Sequence, residues 1–189
     1  MYLKIRIFFL FLLIISCQPI ESIKPVEIEN KNFPKISINV KNVLINIKYD
    51  SVFSDENIED QVENPPLKII TDWNKENINI FGNENTLIIN IIDASIYRSE
   101  VENTDAKKYE EKTIYKYEIF YLVEYQLFDD SDILLANTTV ESSRSTTSRK
   151  YISLNERELI INDLTYNSLK DFSTEAKSLF ETYMLEYLE

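Results

Sequence analysis

The chain has 189 residues, 32 Asp and Glu against 20 Lys and Arg, a net charge of −12 and no His. A body this acidic is repelled by nucleic acid and by anionic lipid surfaces. With no His, one Gly and one Cys, imidazole catalysis, phosphate-cradling glycine loops, G-x-S-x-G elbows and thiolate zinc sites are all excluded.

Lys4 and Arg6 precede an apolar run from Ile7 to Ile15, and Ser16 follows it. A basic start, a short apolar stretch and a small residue before the cut predict a secretory signal peptide over 1–16. A spanning helix needs roughly 20 apolar residues, so the run is too short for an uncleaved anchor. Cys17 comes directly after it, and Ile14-Ile15-Ser16-Cys17 resembles the bacterial lipobox. The resemblance implies that the Cys17 sulfur is acylated, becomes the new N-terminus and attaches the protein to a membrane through its acyl chains. One acyl chain holds weakly, whereas two or more hold stably. Gln18 stands where an enteric sorting signal would place Asp, which implies the periplasmic face of the outer membrane. The cut removes two positive charges and no negative one, so the net charge falls from −12 to −14. A lone Cys forms no disulfide within the chain.

Gln18 to Pro34 contains Pro19, Pro25 and Pro34 and reads as an extended linker. The lipidated Cys and its tether therefore occupy 17–34, and one domain occupies 35–189. Lys35 to Tyr49 reads as a strand. Its apolar phase shifts from Ile36, Ile38 and Val40 to Val43, Ile45, Ile47 and Tyr49, which predicts a bulge near Lys41-Asn42. Asp50 to Asn64 reads as an acidic, solvated loop; it lacks the alternating ligands and central Gly of a calcium loop. Pro65-Pro66 opens a helix. Ile69 or Ile70, Trp73, Asn77 and Ile80 or Phe81 recur at helical spacing, with Gly82 as the residue after its end. Trp73 reads as core, or alternatively as a ligand platform.

Thr86 to Val101 reads as a second strand. Leu87, Ile89 and Ile91 point one way, and Ile88, Ile92, Ala94 and Ile96 the other, which predicts burial on both faces. Glu102 to Glu111 is a charged connection. Lys112 to Phe128 alternates most clearly. Tyr115, Tyr117, Ile119, Tyr121, Val123, Tyr125 and Leu127 share one face, while Phe120 and Leu122 interrupt a polar opposite face. Asp129 to Asp132 is a hairpin turn, and Ile133 to Ser148 is the fourth strand. Arg144, Arg149 and Lys150 form a hydroxyl-rich basic patch, readable as a grip for phosphate or carboxylate or as a guarded edge strand. Ser153 and Glu156 match a capping box. It starts a helix running to about Tyr187, roughly 50 Å long at 1.5 Å per residue. Ordinary strands are about 20 Å long, so this helix is expected to break or to project past the sheet.

These elements predict an α+β fold: a four-stranded, mainly antiparallel sheet with two helices on one face, in the order strand-helix-strand-strand-strand-helix. Behind a lipobox, that order resembles the lipopolysaccharide-assembly lipoproteins that plug an outer-membrane barrel. It also resembles the auxiliary lipoproteins of ABC-type envelope lipid transport. Three segments resemble small alphaproteobacterial lipoproteins: Pro65-Pro66 through Trp73, Ser142 to Ser145, and Leu154 to Glu158 with Asp163-Leu164-Thr165. The resemblance implies a non-enzymatic accessory that docks to a larger envelope protein, with no cofactor and no metal. The candidate contacts are Phe120, Leu122, Arg144, Arg149, Tyr183 and Tyr187. An alternative is a lipid or small-molecule binder, with Tyr115, Tyr117, Tyr121 and Tyr125 around the ligand.

Overall fold

The computed structural model describes residues 33–51 and 54–189. The signal peptide, Cys17 and most of the tether lie outside the described residues. The expected α+β architecture is present, built from six strands and two long helices: β1 (Ile36–Ile38), β2 (Asn42–Ile47), α1 (Pro66–Asn77), β3 (Ile78–Ile80), β4 (Thr86–Glu102), β5 (Thr113–Phe128), β6 (Leu134–Ser148) and α2 (Leu154–Tyr183).

The main sheet has the order β2-β4-β5-β6. β2 and β4 run parallel, joined through α1, and the other two pairings are antiparallel. Both helices cover one face. Trp73 of α1 and Tyr121 of β5 each meet the Phe172 ring of α2 edge-on, at 5.5 and 5.7 Å between centroids. Tyr125 packs against Phe180 at 4.9 Å. Phe33 is buried and lies 5.6 Å from the Tyr166 ring, so the packed body already includes the residue before Pro34.

The first expected strand is two. A phase shift in a strand needs a bulge or a bend, and here the bend is complete. β1 leaves the main sheet and pairs parallel with β3 in a separate two-stranded sheet. The partner segment breaks at the same level, between β3 and β4. Gly82 N–H donates to the Val40 carbonyl, and Lys41 N–H reaches the Glu84 and Asn85 carbonyls. Asn85 takes a φ of 66° there, a left-handed conformation that Asn tolerates better than most residues. Two neighbouring chain segments thus turn one corner together.

This corner corrects two expectations. The first helix stops at Asn77, and Ile80 and Phe81 are exposed strand-end residues. Gly82 has no positive φ, so it is not a left-handed helix terminator. Its role is contact: a Cβ there would lie 2.2 Å from Asn39 Oδ1 and 2.7 Å from Val40 N.

The buried apolar residues of β4 fill one face, and the second face is closed instead by Asn90 and Ser95. A bulge between Ile91 and Asp93 restores phase, so Leu87, Ile89, Ile91, Ala94 and Ile96 all point into the core. Ile88 is half-buried on the opposite side, and Ile92 is exposed. α2 does not break within its 30 residues, about 45 Å, and its buried residues run from Ile161 to Phe180. β4, β5 and β6 have 17, 16 and 15 residues, about 50 Å at 3.3 Å each. The strands are long enough to match the helix. Its start is capped as expected, with Glu156 N–H donating to Ser153 Oγ and Ser153 N–H donating to Glu156. Those bonds favour the charged carboxylate and hold its pKa below the usual range.

The acidic loop is more ordered than expected. Ile58 is fully buried in the core, and Asn57 bridges to Tyr97 beside the second half of β4.

Candidate functional site

No described helix covers the second face of the main sheet. Alternation in β5 puts Phe120 and Leu122 on that face. Cross-strand register sets Phe120 between Ser95 and Ser143, and Leu122 between Asp93 and Glu141. Both apolar side chains are half-buried. The bulge adds Ile92, which is 38% exposed. Ile91 and Ala94 both point into the core, which leaves Ile92 and Asp93 between them on the second face. Leu44 and Ile88 are register partners in β2 and β4 and extend the apolar strip toward the β2 edge.

Polar groups hold this face rigid. Asn90 is 2% exposed; it accepts from Asn46 at 3.2 Å and donates to Glu124 at 2.9 Å and Gln126 at 3.3 Å. Two further atoms beside the apolar strip, Asp93 Oδ1 and Ser95 Oγ, are buried and have no hydrogen-bond partner among the described residues. An unpaired buried polar atom is costly, and both of these lie beneath the surface of the face, out of reach of a docking partner. Sequence reading found Phe120 and Leu122 from the broken alternation. It missed Ile92 and Ile88 because a bulge cannot be told from double burial by pattern alone.

The other candidate contacts do not gather with these. Arg144 faces the helix side, opposite Ile119, and pairs with Asp171 of α2. Lys150 pairs with Glu100 at 2.7 Å, and its ammonium lies 5.5 Å from the Tyr115 ring centroid. Arg98 approaches the same ring at 5.0 Å. Arg149 is exposed beside a hollow lined by Asn103, Tyr109, Glu110 and Glu111. Arg144 and Lys150 of the basic patch therefore go to separate acidic partners, and β6 is one of the two edges of the main sheet. Tyr183 is exposed. Tyr187 is half-buried against the core, and its carbonyl accepts from Asn39 N–H at 2.7 Å. Most of the last turns of α2 are spent on the core, through Ala176, Phe180 and Met184.

The aromatic face is packed. Tyr117, Tyr121, Tyr125 and Trp73 are all buried; Trp73 is a core residue. Tyr125 donates its hydroxyl to Asn74 Oδ1 at 2.8 Å, and Asn74 in turn donates to the Ile70 carbonyl. The Tyr121 hydroxyl has no partner among the described residues. The two tyrosines should therefore respond oppositely. Tyr125→Phe is expected to lose about 1 kcal/mol, and Tyr121→Phe to be neutral or stabilising, because only the first removes a made hydrogen bond. Urea unfolding midpoints check this; equal losses would contradict it. Burial pushes both phenols above their ordinary pKa. The resulting stability is present below about pH 10, the unfolded tyrosine value, and is lost as pH rises toward the folded values.

A polar hollow of about 340 Å³ lies beside the acidic loop, lined by Ser51, Asp55, Asn57, Glu59, Asp60 and Arg98. Asn57 Nδ2 donates to Glu59 at 3.1 Å, so its polar atoms serve the loop itself. Among the described residues no group of three His, Cys, Asp or Glu side chains is placed to hold a metal, and no helix is long and apolar enough to cross a membrane.

No family model and no curated protein sequence matches the chain. Among solved structures, the chain is similar to a minor lipoprotein from Acinetobacter baumannii at 9% identity and a TM-score of 0.35, covering 72% of this chain and 93% of that one. It is also similar to rare lipoprotein B from Shewanella oneidensis at 15% identity and a TM-score of 0.39, covering 78% of this chain and 100% of that one. No residue and no function is carried over from either.

Proposed function

We propose that this chain is a lipid-anchored envelope lipoprotein that works by docking and catalyses nothing. Cys17 would carry the acyl chains and hold the body at the periplasmic face of the outer membrane. The body would serve as an assembly accessory, or as an accessory to lipid or lipopolysaccharide transport, by binding a larger envelope protein. The observation that carries the docking half is the sheet face that no described helix covers, where Ile92, Phe120 and Leu122 form an apolar strip with polar neighbours at Glu141 and Ser143. Apolar strips rimmed by polar residues mark interaction sites. The lipobox residues carry the anchoring half.

Two measurements test the proposal. Cells fed labelled palmitate are expected to yield labelled mature protein, and Cys17→Ser is expected to abolish the label. After cross-linking in intact cells, the full chain with Phe120→Asp and Leu122→Asp should lose its captured envelope partner. Thr139→Asp, on the same face of edge strand β6, should keep it. An unlabelled wild type would remove the anchor, and an unchanged partner set would remove this docking face.

A further inference from the structure

We infer that the outer edge of β2 is a self-association surface, where the strand pairs antiparallel with β2 of a second copy of this chain. The two four-stranded sheets would join into one across a two-fold axis.

β2 and β6 are the two edges of the main sheet. Open edges invite pairing, and proteins guard them with charge, proline or a covering element. β6 carries Glu141 and Arg144 and lies along α2. Among the described residues β2 has none of these devices. Its sequence is Asn-Val-Leu-Ile-Asn-Ile, without charge or proline, and Leu44 and Ile47 are 52% and 55% exposed.

The backbone direction follows from the ladder. Lys48 N–H donates to the Ile91 carbonyl at 2.8 Å on the β4 side. In a parallel ladder alternate residues turn toward the same neighbour, so Leu44 and Asn46 also face β4. Val43, Ile45 and Ile47 turn their N–H and C=O groups outward. Those outward groups bond to no other described residue.

The occupant follows from self-matching. With the axis at Ile45, Val43 meets the second copy's Ile47, Leu44 meets its Asn46, and Ile45 meets itself. Lys48 meets Asn42, and Lys41 meets Tyr49, so no like charges face one another. A two-fold interface requires this kind of self-complementarity. The acidic bodies repel each other at longer range, so the pairing should strengthen as salt screens them.

The test uses the full chain in cells, with mild oxidation of the envelope. Facing residues of an antiparallel pair have Cα atoms about 4.5–5.5 Å apart, within reach of a disulfide. Ile45→Cys is expected to shift to twice the monomer mass on a non-reducing gel. Val43→Cys alone is expected to stay monomeric, and a chain carrying Val43→Cys with Ile47→Cys to shift. Wild type, with Cys17 alone, sets the background. If Ile45→Cys does not accumulate, Leu44→Cys with Asn46→Cys reads the same register from exposed positions. A monomeric Ile45→Cys, a cross-link to a different polypeptide, or equal cross-linking by Val43→Cys alone would each overturn the inference.

Discussion

Truncating Phe172 to Ala is expected to cost about 3–5 kcal/mol. That is a large share of the roughly 5–15 kcal/mol that holds a typical domain folded. Phe172 is fully buried, and its ring is the meeting point of both helices and the sheet, with Trp73 on one side and Tyr121 on another. The site cannot collapse around the loss, because its neighbours are rigid rings anchored in two different elements, α1 and β5. Urea unfolding read from Trp73, the single tryptophan, should show a much lower midpoint with an unchanged slope. Leu154→Ala, on the exposed first turn of α2, should stay within about 0.5 kcal/mol of wild type. Equal midpoints for the two variants would show that the helices are not fastened at Phe172.

Gly82→Ala should cost about 3 kcal/mol, the upper part of the range for overpacking. The added methyl would meet Asn39 Oδ1 at 2.2 Å, Val40 N at 2.7 Å and the Asn39 carbonyl carbon at 2.8 Å. A side chain can swing away, but backbone atoms at the corner can do so only by opening the bonds from Gly82 to Val40 and from Lys41 to Glu84. Asn39→Ala made together with Gly82→Ala should therefore recover only part of the loss, and this partial coupling is what a double-mutant cycle measures. Thermal unfolding of the four proteins decides the matter. A Gly82→Ala protein as stable as wild type would mean that the two segments do not approach at this point.

The elements legible in the sequence are those whose pattern is local. β5 places an apolar or aromatic residue at every second position from Tyr115 to Leu127, and its core face is as read. The α2 start is fixed by Ser153 and Glu156 alone. The turn at Asp129 is equally local, since Asp129 Oδ1 accepts from both Ser131 N–H and Ile133 N–H at 2.8 Å. What was not legible depends on distant neighbours. A phase shift at Lys41 says that the chain bends, but not that β1 then joins β3. Ile92 looks like a second buried face until the register of β5 shows it to be a bulge. Ile58 lies among acidic residues and gives no local sign of burial. The length of the strands was not legible either, since β4, β5 and β6 run to 17, 16 and 15 residues.

Leu188 bridges to Ile38 on the flank of β1 away from β3, and Glu189 N–H reaches the Ser37 carbonyl at 3.3 Å. β1 thus closes against residues far away along the chain, Ile38 against Leu188. Contacts of such separation slow folding, since the intervening loop must close before they reward it. β1 would therefore gain its second flank late in folding, once the main sheet and α2 are in place.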